Sequence, residues 1–562
     1  MRINLIKIFF IVFVVFYQTK TNAANIDKDE FNYKYLSNYF SSLISYDNQN
    51  NKDALKYFNL TRSLQSKNVN HIRKYIFTLT NVGQISRAIK EIKSLKNKKK
   101  IDFFEMNILL LIDNLINKDY TKSKIILSDL KYLQKENTYE HIIYQTLKSY
   151  FYLFEKKIKY ENNNKFGRLT EITNSFQNCY IDSKKTNSSF LNLINSGEDD
   201  YSRYMFFYLA KKLEEKDYET VRNISSTIDP ISNGLLVLQS KYWIDESNFK
   251  KFNNIFSCKN ERHLLSEFFF LIANLYSAEE EYNLSNFYLN IAYYLNPRFY
   301  YNLTLLVENH FINKNYSASN NILNKFNNYD HAYKWYKIKK SSKIVYETES
   351  ENKSFKLIES KFLQIKNPSI KIIFDMANVY KRYKKYEKAI ELYTLIMKQI
   401  DKDSEVYADI LYRRGGSYER IGNHEKSDND LLNSLKIVPD DPYVTNYLAY
   451  SWLERNYKIE EALNMLQEAY EQKKNDPYII DSVGWAYYLV NEYEKAEKYL
   501  LKAIKLMPND PIVNDHFGDI LWMLNKKLQA RYYWKNALVQ DETEEKMKKT
   551  IQEKLLNGIK KL

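Results

Sequence analysis

A spacing of 34 residues separates Gly484 from Gly518, and the same spacing separates Ala496 from Ala530. The two pairs belong to consecutive units of one pattern. The first runs through Asp476-Pro477, Gly484, Tyr487, Ala496, Ala503 and Pro508, and the next through Pro511, Gly518, Ala530, Trp534 and Ala537. Earlier units keep the phase. One holds Pro442, Ala449, Trp452, Ala462, Leu466 and Ala469; another holds Ala408, Gly415, Tyr418, Gly422, Leu431 and Pro439, with Ser427 and Ser434 at small positions. A fifth holds Ile370, Ala377, Tyr380, Ala389 and Tyr393. Apolar residues recur at helical spacing within each unit, which predicts a helix–turn–helix. The small residues let the two helices approach closely, the aromatic fills the gap at the crossing, and proline ends the run. A single pair cannot bury its apolar face, so neighbouring pairs must stack into a solenoid. Only 10 glycines and 8 prolines occur in 562 residues, too few for the turns of a sandwich or barrel. The expected fold is all-α, a superhelical solenoid of helix hairpins.

Upstream the pattern weakens. Leu271 to Tyr276 with Leu289, Ala292 and Pro297 makes a good unit, and Ala54 and Ala88 again stand 34 residues apart. Between about 100 and 260 the spacing stays helical but no units can be assigned. The expected division is 24–200 as degenerate helical repeats, 201–369 as divergent repeats, 370–544 as five clear units, and 545–562 as a capping helix. That last helix would set Ile551, Leu555 and Ile559 on one face to cover the apolar end of the solenoid. The Asn- and Ser-rich stretches at 161–165 and 185–200, and Glu347 to Glu351, read as loops.

The net charge is +15. The basic residues are spread along the chain, and the longest run, Lys96 to Lys100, reads as a solvated loop; no nucleic-acid partner is expected. Arg2 and Lys7, the apolar run Ile8 to Tyr17 and Thr21-Asn22-Ala23 follow the secretory signal-peptide pattern, with cleavage before Ala24. The run is too short to span a membrane. The expected location is the periplasm, with peripheral association to the envelope and its outer membrane as an extension of that reading. Cys179 and Cys258 match no metal spacing; one disulfide and two separate thiols both remain open.

No P-loop, dinucleotide fingerprint, HExxH or GxSxG motif is present, and the seven histidines are scattered. No catalytic residue, cofactor or metal is expected, and the chain reads as no enzyme.

The repeat pattern resembles the tetratricopeptide repeat (TPR) family. The segments Asn446 to Tyr450, Asp481 to Trp485 and Asp515 to Asp519 look like those of exported TPR proteins of Gram-negative bacteria, of alphaproteobacterial type. The resemblance implies that the first helix of each unit lines a concave groove that binds protein or peptide partners. It places Arg413, Asn446, Tyr450, Asp481, Trp485, Asp515 and Asp519 on that groove. A row of Asn and Asp beside a row of aromatics could pair with a peptide backbone and supply flat apolar area; the same residues could equally pack and cap helices. The clamp that grips acidic tails in some family members is not matched, because Phe374 and Tyr412 stand where its lysine is needed. The expectation is an exported, non-enzymatic scaffold for cell-envelope assembly or maintenance. The alternative is a peptidoglycan- or polysaccharide-associated envelope factor, with rings stacking on sugars.

Overall fold

The computed structural model describes residues 33–61, 69–96, 102–160, 165–195, 202–326 and 330–559. The signal-peptide segment, most of the run Lys96 to Lys100, and residues 161–164, 196–200 and 560–562 lie outside them. Every described element is helical, and helices pack chiefly against their sequence neighbours. The chain divides into two compact units, Met1–Ser354 and Phe355–Leu562.

In the second unit the helices are α1 (Ile370–Arg382), α2 (Tyr386–Met397), α3 (Glu405–Arg420), α4 (His424–Ile437), α5 (Pro442–Glu454) and α6 (Ile459–Gln472). They continue as α7 (Pro477–Leu489), α8 (Tyr493–Leu506), α9 (Pro511–Met523), α10 (Lys527–Val539) and α11 (Glu545–Asn557). Three first helices start alike. Asp441, Asp476 and Asp510 cap α5, α7 and α9, each accepting two backbone N–H groups, while proline takes the first helical position. Proline is suited to that place, where its missing N–H would have no partner in the helix.

The small residues sit at the helix crossings. Ala377, Ala389, Ala449, Ala462, Ala496, Ala503, Ala530 and Ala537 are fully buried. A β-carbon on Gly484 would fall inside the side chain of Leu500 on α8, and one on Gly518 would fall on the indole of Trp534 on α10. Where serine replaces alanine, its hydroxyl is satisfied: Ser434 Oγ donates to the Ala408 carbonyl at 2.9 Å.

The turn inside each pair is equally regular. One residue takes the left-handed conformation, and the next N–H bonds to a carbonyl five residues back, tying off the helix end. In the second unit Lys384, Gly422, Asn491 and Asn525 have φ of 56, 77, 62 and 61°. The bonds that follow are Lys385 to Tyr380 (2.8 Å), Asn423 to Tyr418 (2.9 Å), Glu492 to Tyr487 (2.9 Å) and Lys526 to Leu521 (2.8 Å).

The same turn runs through the first unit, including the stretch where sequence alone assigns no units. Gly83, Lys118, Lys216, Glu280 and Lys314 have φ of 79, 59, 61, 61 and 57°. Asp119, Asp217 and Asn315 then cap the second helix through their side chains. The sequence signal was present as the pairs Lys118-Asp119, Lys216-Asp217 and Lys314-Asn315. The core differs, however. Phe206 stacks on Phe252 (5.5 Å) and Phe299 (5.4 Å), and Phe207 meets Phe176 (5.0 Å) and Phe256 (4.6 Å) edge-on. These rings come from separate elements of the chain and join them into one aromatic cluster.

Two loop expectations need correction. Residues Thr186–Ile194 form a helix, because Phe190 and Leu193 are buried and outweigh the Asn and Ser content. The acidic patch is almost all helical as well: Glu347 lies in His331–Thr348, and Glu351 opens Glu351–Leu363.

Cys179 and Cys258 form a disulfide, their α-carbons 5.8 Å apart. It ties the helix Arg168–Tyr180 to the segment before Glu261–Ala278. Lys259 reinforces the junction by donating to the Tyr180 carbonyl at 2.7 Å.

Two outcomes follow from this packing. Alanine ordinarily stabilises a helix interior by about 1 kcal/mol over glycine. Gly518→Ala should instead destabilise the second unit by about 1–3 kcal/mol, because Trp534 must move; urea unfolding reads the sign directly. The double variant Cys179→Ala, Cys258→Ala should lose about 2–4 kcal/mol. A thiol-reactive dye should label the unmodified, denatured chain only after reduction.

Candidate functional site

In the second unit, consecutive first helices touch one another (α3 with α5, α5 with α7, α7 with α9), while the second helices make no comparable contact with their successors. The array therefore curves with its first helices on the inside. That inner face carries the groove residues expected from sequence, and the structure sorts them into three groups.

Asn446, Tyr450 and Asp481 come together. They line a cavity of about 380 Å³, with Glu419 and Arg420 from α3, Tyr447, Ser451 and Glu454 from α5, Tyr478 and Ser482 from α7, and Asp510, Ile512 and Val513 at the start of α9. Asn446 Oδ1 is buried there and accepts no hydrogen bond from the protein. Glu419 accepts from the Tyr447 hydroxyl at 3.1 Å. Burial pushes the Tyr450 phenol well above its usual range, and Glu454 adds to the effect, so the hydroxyl stays neutral.

Trp485 stands at the edge of this group. Its indole donates to Glu454 at 3.1 Å and lies flat between Tyr488 (4.7 Å) and His516 (4.1 Å). His516 Nδ1 is 3.0 Å from Asp481 Oδ2, both groups being buried. Burial alone would lower the His516 pKa. The Asp481 carboxylate outweighs it, with help from Asp515 and Asp519, and the pKa is raised. The imidazole therefore holds its proton more tightly than a free one does.

Asp515 and Asp519 are engaged elsewhere. Lys554 of α11 reaches between them, 2.8 Å from Asp515 Oδ2 and 2.7 Å from Asp519 Oδ2. Asp519 also accepts from the Trp534 indole at 2.8 Å. Burial is the main cause that raises the Asp519 pKa to about 6, and the Asp515 charge acts in the same direction. The last turn of the acidic row is thus closed by the C-terminal helix. Arg413 lies at the opposite end, held by Asp409 at 2.8 Å and Asn378 at 3.4 Å, with its guanidinium over Phe374.

Glu454 and Lys554 are the residues that sequence reasoning missed. Glu454 was findable, being one helical turn beyond Tyr450 and so on the same face. Lys554 was not, since α11 follows no repeat register. Among the described residues no group of three His, Cys, Asp or Glu side chains is placed to hold a metal ion. No described helix is long and apolar enough to cross a membrane.

A tetratricopeptide repeat model matches residues 478–510, the span of α7, α8 and the turn into α9. Over that span the chain is similar to a tetratricopeptide repeat. A curated relative, the TPR repeat-containing protein PA4667 of Pseudomonas aeruginosa, is 29% identical over 119 residues. That match takes in 21% of this chain, which spans only about a fifth (20%) of the relative. Among solved structures, TTC0263, a thermophilic TPR protein of Thermus thermophilus, is 18% identical over 33% of this chain and 99% of its own, with a TM-score of 0.29. The structure titled as pilF of Pseudomonas aeruginosa is 17% identical over 34% and 91%, with a TM-score of 0.28.

The His516–Asp481 pair predicts a pH dependence. A histidine whose pKa rises on folding contributes stability that is fully present below about 6.5 and lost as pH rises through the folded value. The His516 ring should titrate by NMR above 6.5. In Asp481→Asn, burial acts with less opposition, so the midpoint should drop.

Proposed function

We propose that this protein is a non-enzymatic TPR scaffold that binds protein segments along the inner face of its second unit. The observation that carries this reading is the cavity around Asn446, Tyr450 and Asp481, where rings, carboxylates and an unpaired amide oxygen converge on one opening. Flat aromatic walls give contact area at low entropic cost, and polar groups at the rim suit an extended backbone. The usable surface extends from Arg413 to Trp485, with Asp515 and Asp519 shaping its closed end.

We place the protein in an exported compartment, the periplasm, with a role in envelope assembly or maintenance. The disulfide supports an oxidising compartment, and the apolar run Ile8 to Tyr17 behind Arg2 and Lys7 supports export. The net charge of +15 keeps a second reading, an anionic cell-wall polymer as partner.

Photo-crosslinking in living cells separates the two. A crosslinking residue at Tyr478 or Ile512, both exposed at the cavity rim, should capture a discrete protein band. One at Leu528, exposed on the outer second helix α10, should not. Equal capture from both positions, or capture of none, would sink the proposal. Retention of the chain on purified sacculi in high salt would support the polymer instead.

A further inference from the structure

We propose that the cavity lined by α3, α5, α7 and α9 is a subsite for a cationic side chain, arginine or lysine, of the bound segment. This rests on the reading of the inner face as a peptide-binding surface and names what one part of it selects.

The lining charges are unequal. Glu419, Glu454, Asp481 and Asp510 face a single cation, Arg420. Two of the four carboxylates are already answered: Asp481 by His516, and Asp510 by the backbone N–H groups of Ile512 and Val513. Glu419 lies 3.4 Å from Arg420. Glu454 is left with neutral donors, the Trp485 indole and the Tyr450 phenol. It is an exposed acidic group lining the cavity with no cation against it among the described residues.

The remaining features ask for the same guest. Asn446 Oδ1 is a buried acceptor without a donor, which is costly unless a ligand supplies one. Tyr447, Tyr450 and Tyr478 contribute aromatic walls, and ring faces attract a cation most strongly where water is excluded. An acidic guest would meet Glu454 and the Asp481 side of the cavity. An apolar guest would leave both Asn446 and Glu454 unanswered. A guanidinium carries five N–H donors in a plane and an ammonium three, so either can satisfy an amide oxygen and a carboxylate together. The volume is near the lower end of small-ligand pockets, enough for one long side chain.

The test uses the full chain on an array of immobilised random nonapeptides, followed by solution titration of the strongest binders. The expected result is enrichment of Arg or Lys at one position, and at least a tenfold loss when that residue is replaced by norleucine. Glu454→Gln should abolish the positional preference, with basic and norleucine peptides then binding within about twofold of each other. Glu468→Gln, the same charge change on the outer helix α6, should leave the preference intact. Asn446→Leu provides a second, uncharged probe and should weaken only the basic peptides. Peptides that bind without any basic preference, or a preference that survives Glu454→Gln, would overturn the cationic subsite while leaving the groove. Failure of every peptide to bind would overturn both.

Discussion

Close contact between paired helices is the constraint from which the rest of this structure follows. Where Gly484 faces Leu500 and Gly518 faces Trp534, no β-carbon could be accommodated without moving a buried side chain. The contact fixes the separation and crossing of each pair. It also dictates which residues are left over: positions turned away from the crossing on the first helix have nowhere to go but the inner face. The inner face is thus a by-product of the packing, repeated once per unit and free to vary in chemistry because the crossing does not use it.

A second constraint, the left-handed residue followed by an N–H bonded to a carbonyl five residues back, is what both units share. It survives where the packing code does not. In the first unit, Lys118-Asp119, Lys216-Asp217 and Lys314-Asn315 keep the turn, while Phe206, Phe207, Phe252, Phe256 and Phe299 pack together from separate elements. A pattern built on Gly, Ala and Pro is legible in α1 to α10 and fades upstream, where helices distant in sequence also pack together, Val69–Asn81 on Tyr282–Leu295 and Leu235–Asp245 on His331–Thr348. Reading the turn dipeptides rather than the alanines would have carried the register through 100–260.

The candidate site was legible in a different way. The row Asn446, Asp481, Asp515 and the row Tyr450, Trp485, Asp519 were visible because the repeat fixes their direction. Their partners were not visible, since partners come from other elements. His516 reaches back to Asp481 across one repeat, and Lys554 arrives from a helix with no repeat register. Sequence spacing states which residues share a face; it does not state which of them are already neutralised by neighbours, and that second fact decides what a surface can bind.

The inner face consequently has a direction. At its beginning, burial lowers the pKa of Lys381, and Arg413 and Arg420 lower it further, so cations crowd there with Asp409 as counterweight. In the middle, Glu454 meets only neutral donors, and Asn446 Oδ1 meets none among the described residues. At the end, Lys554 consumes the carboxylates of Asp515 and Asp519, and α11 buries them. An otherwise uniform stack of hairpins therefore presents a basic entrance, an acidic and aromatic centre and a neutralised terminus. A guest lying along it would be held in one polarity and one register, because reversing or sliding it would set like charges together. Selectivity in such a molecule need not come from any single residue; on the proposed reading it would arise from the order in which repeats of one shape present different charges.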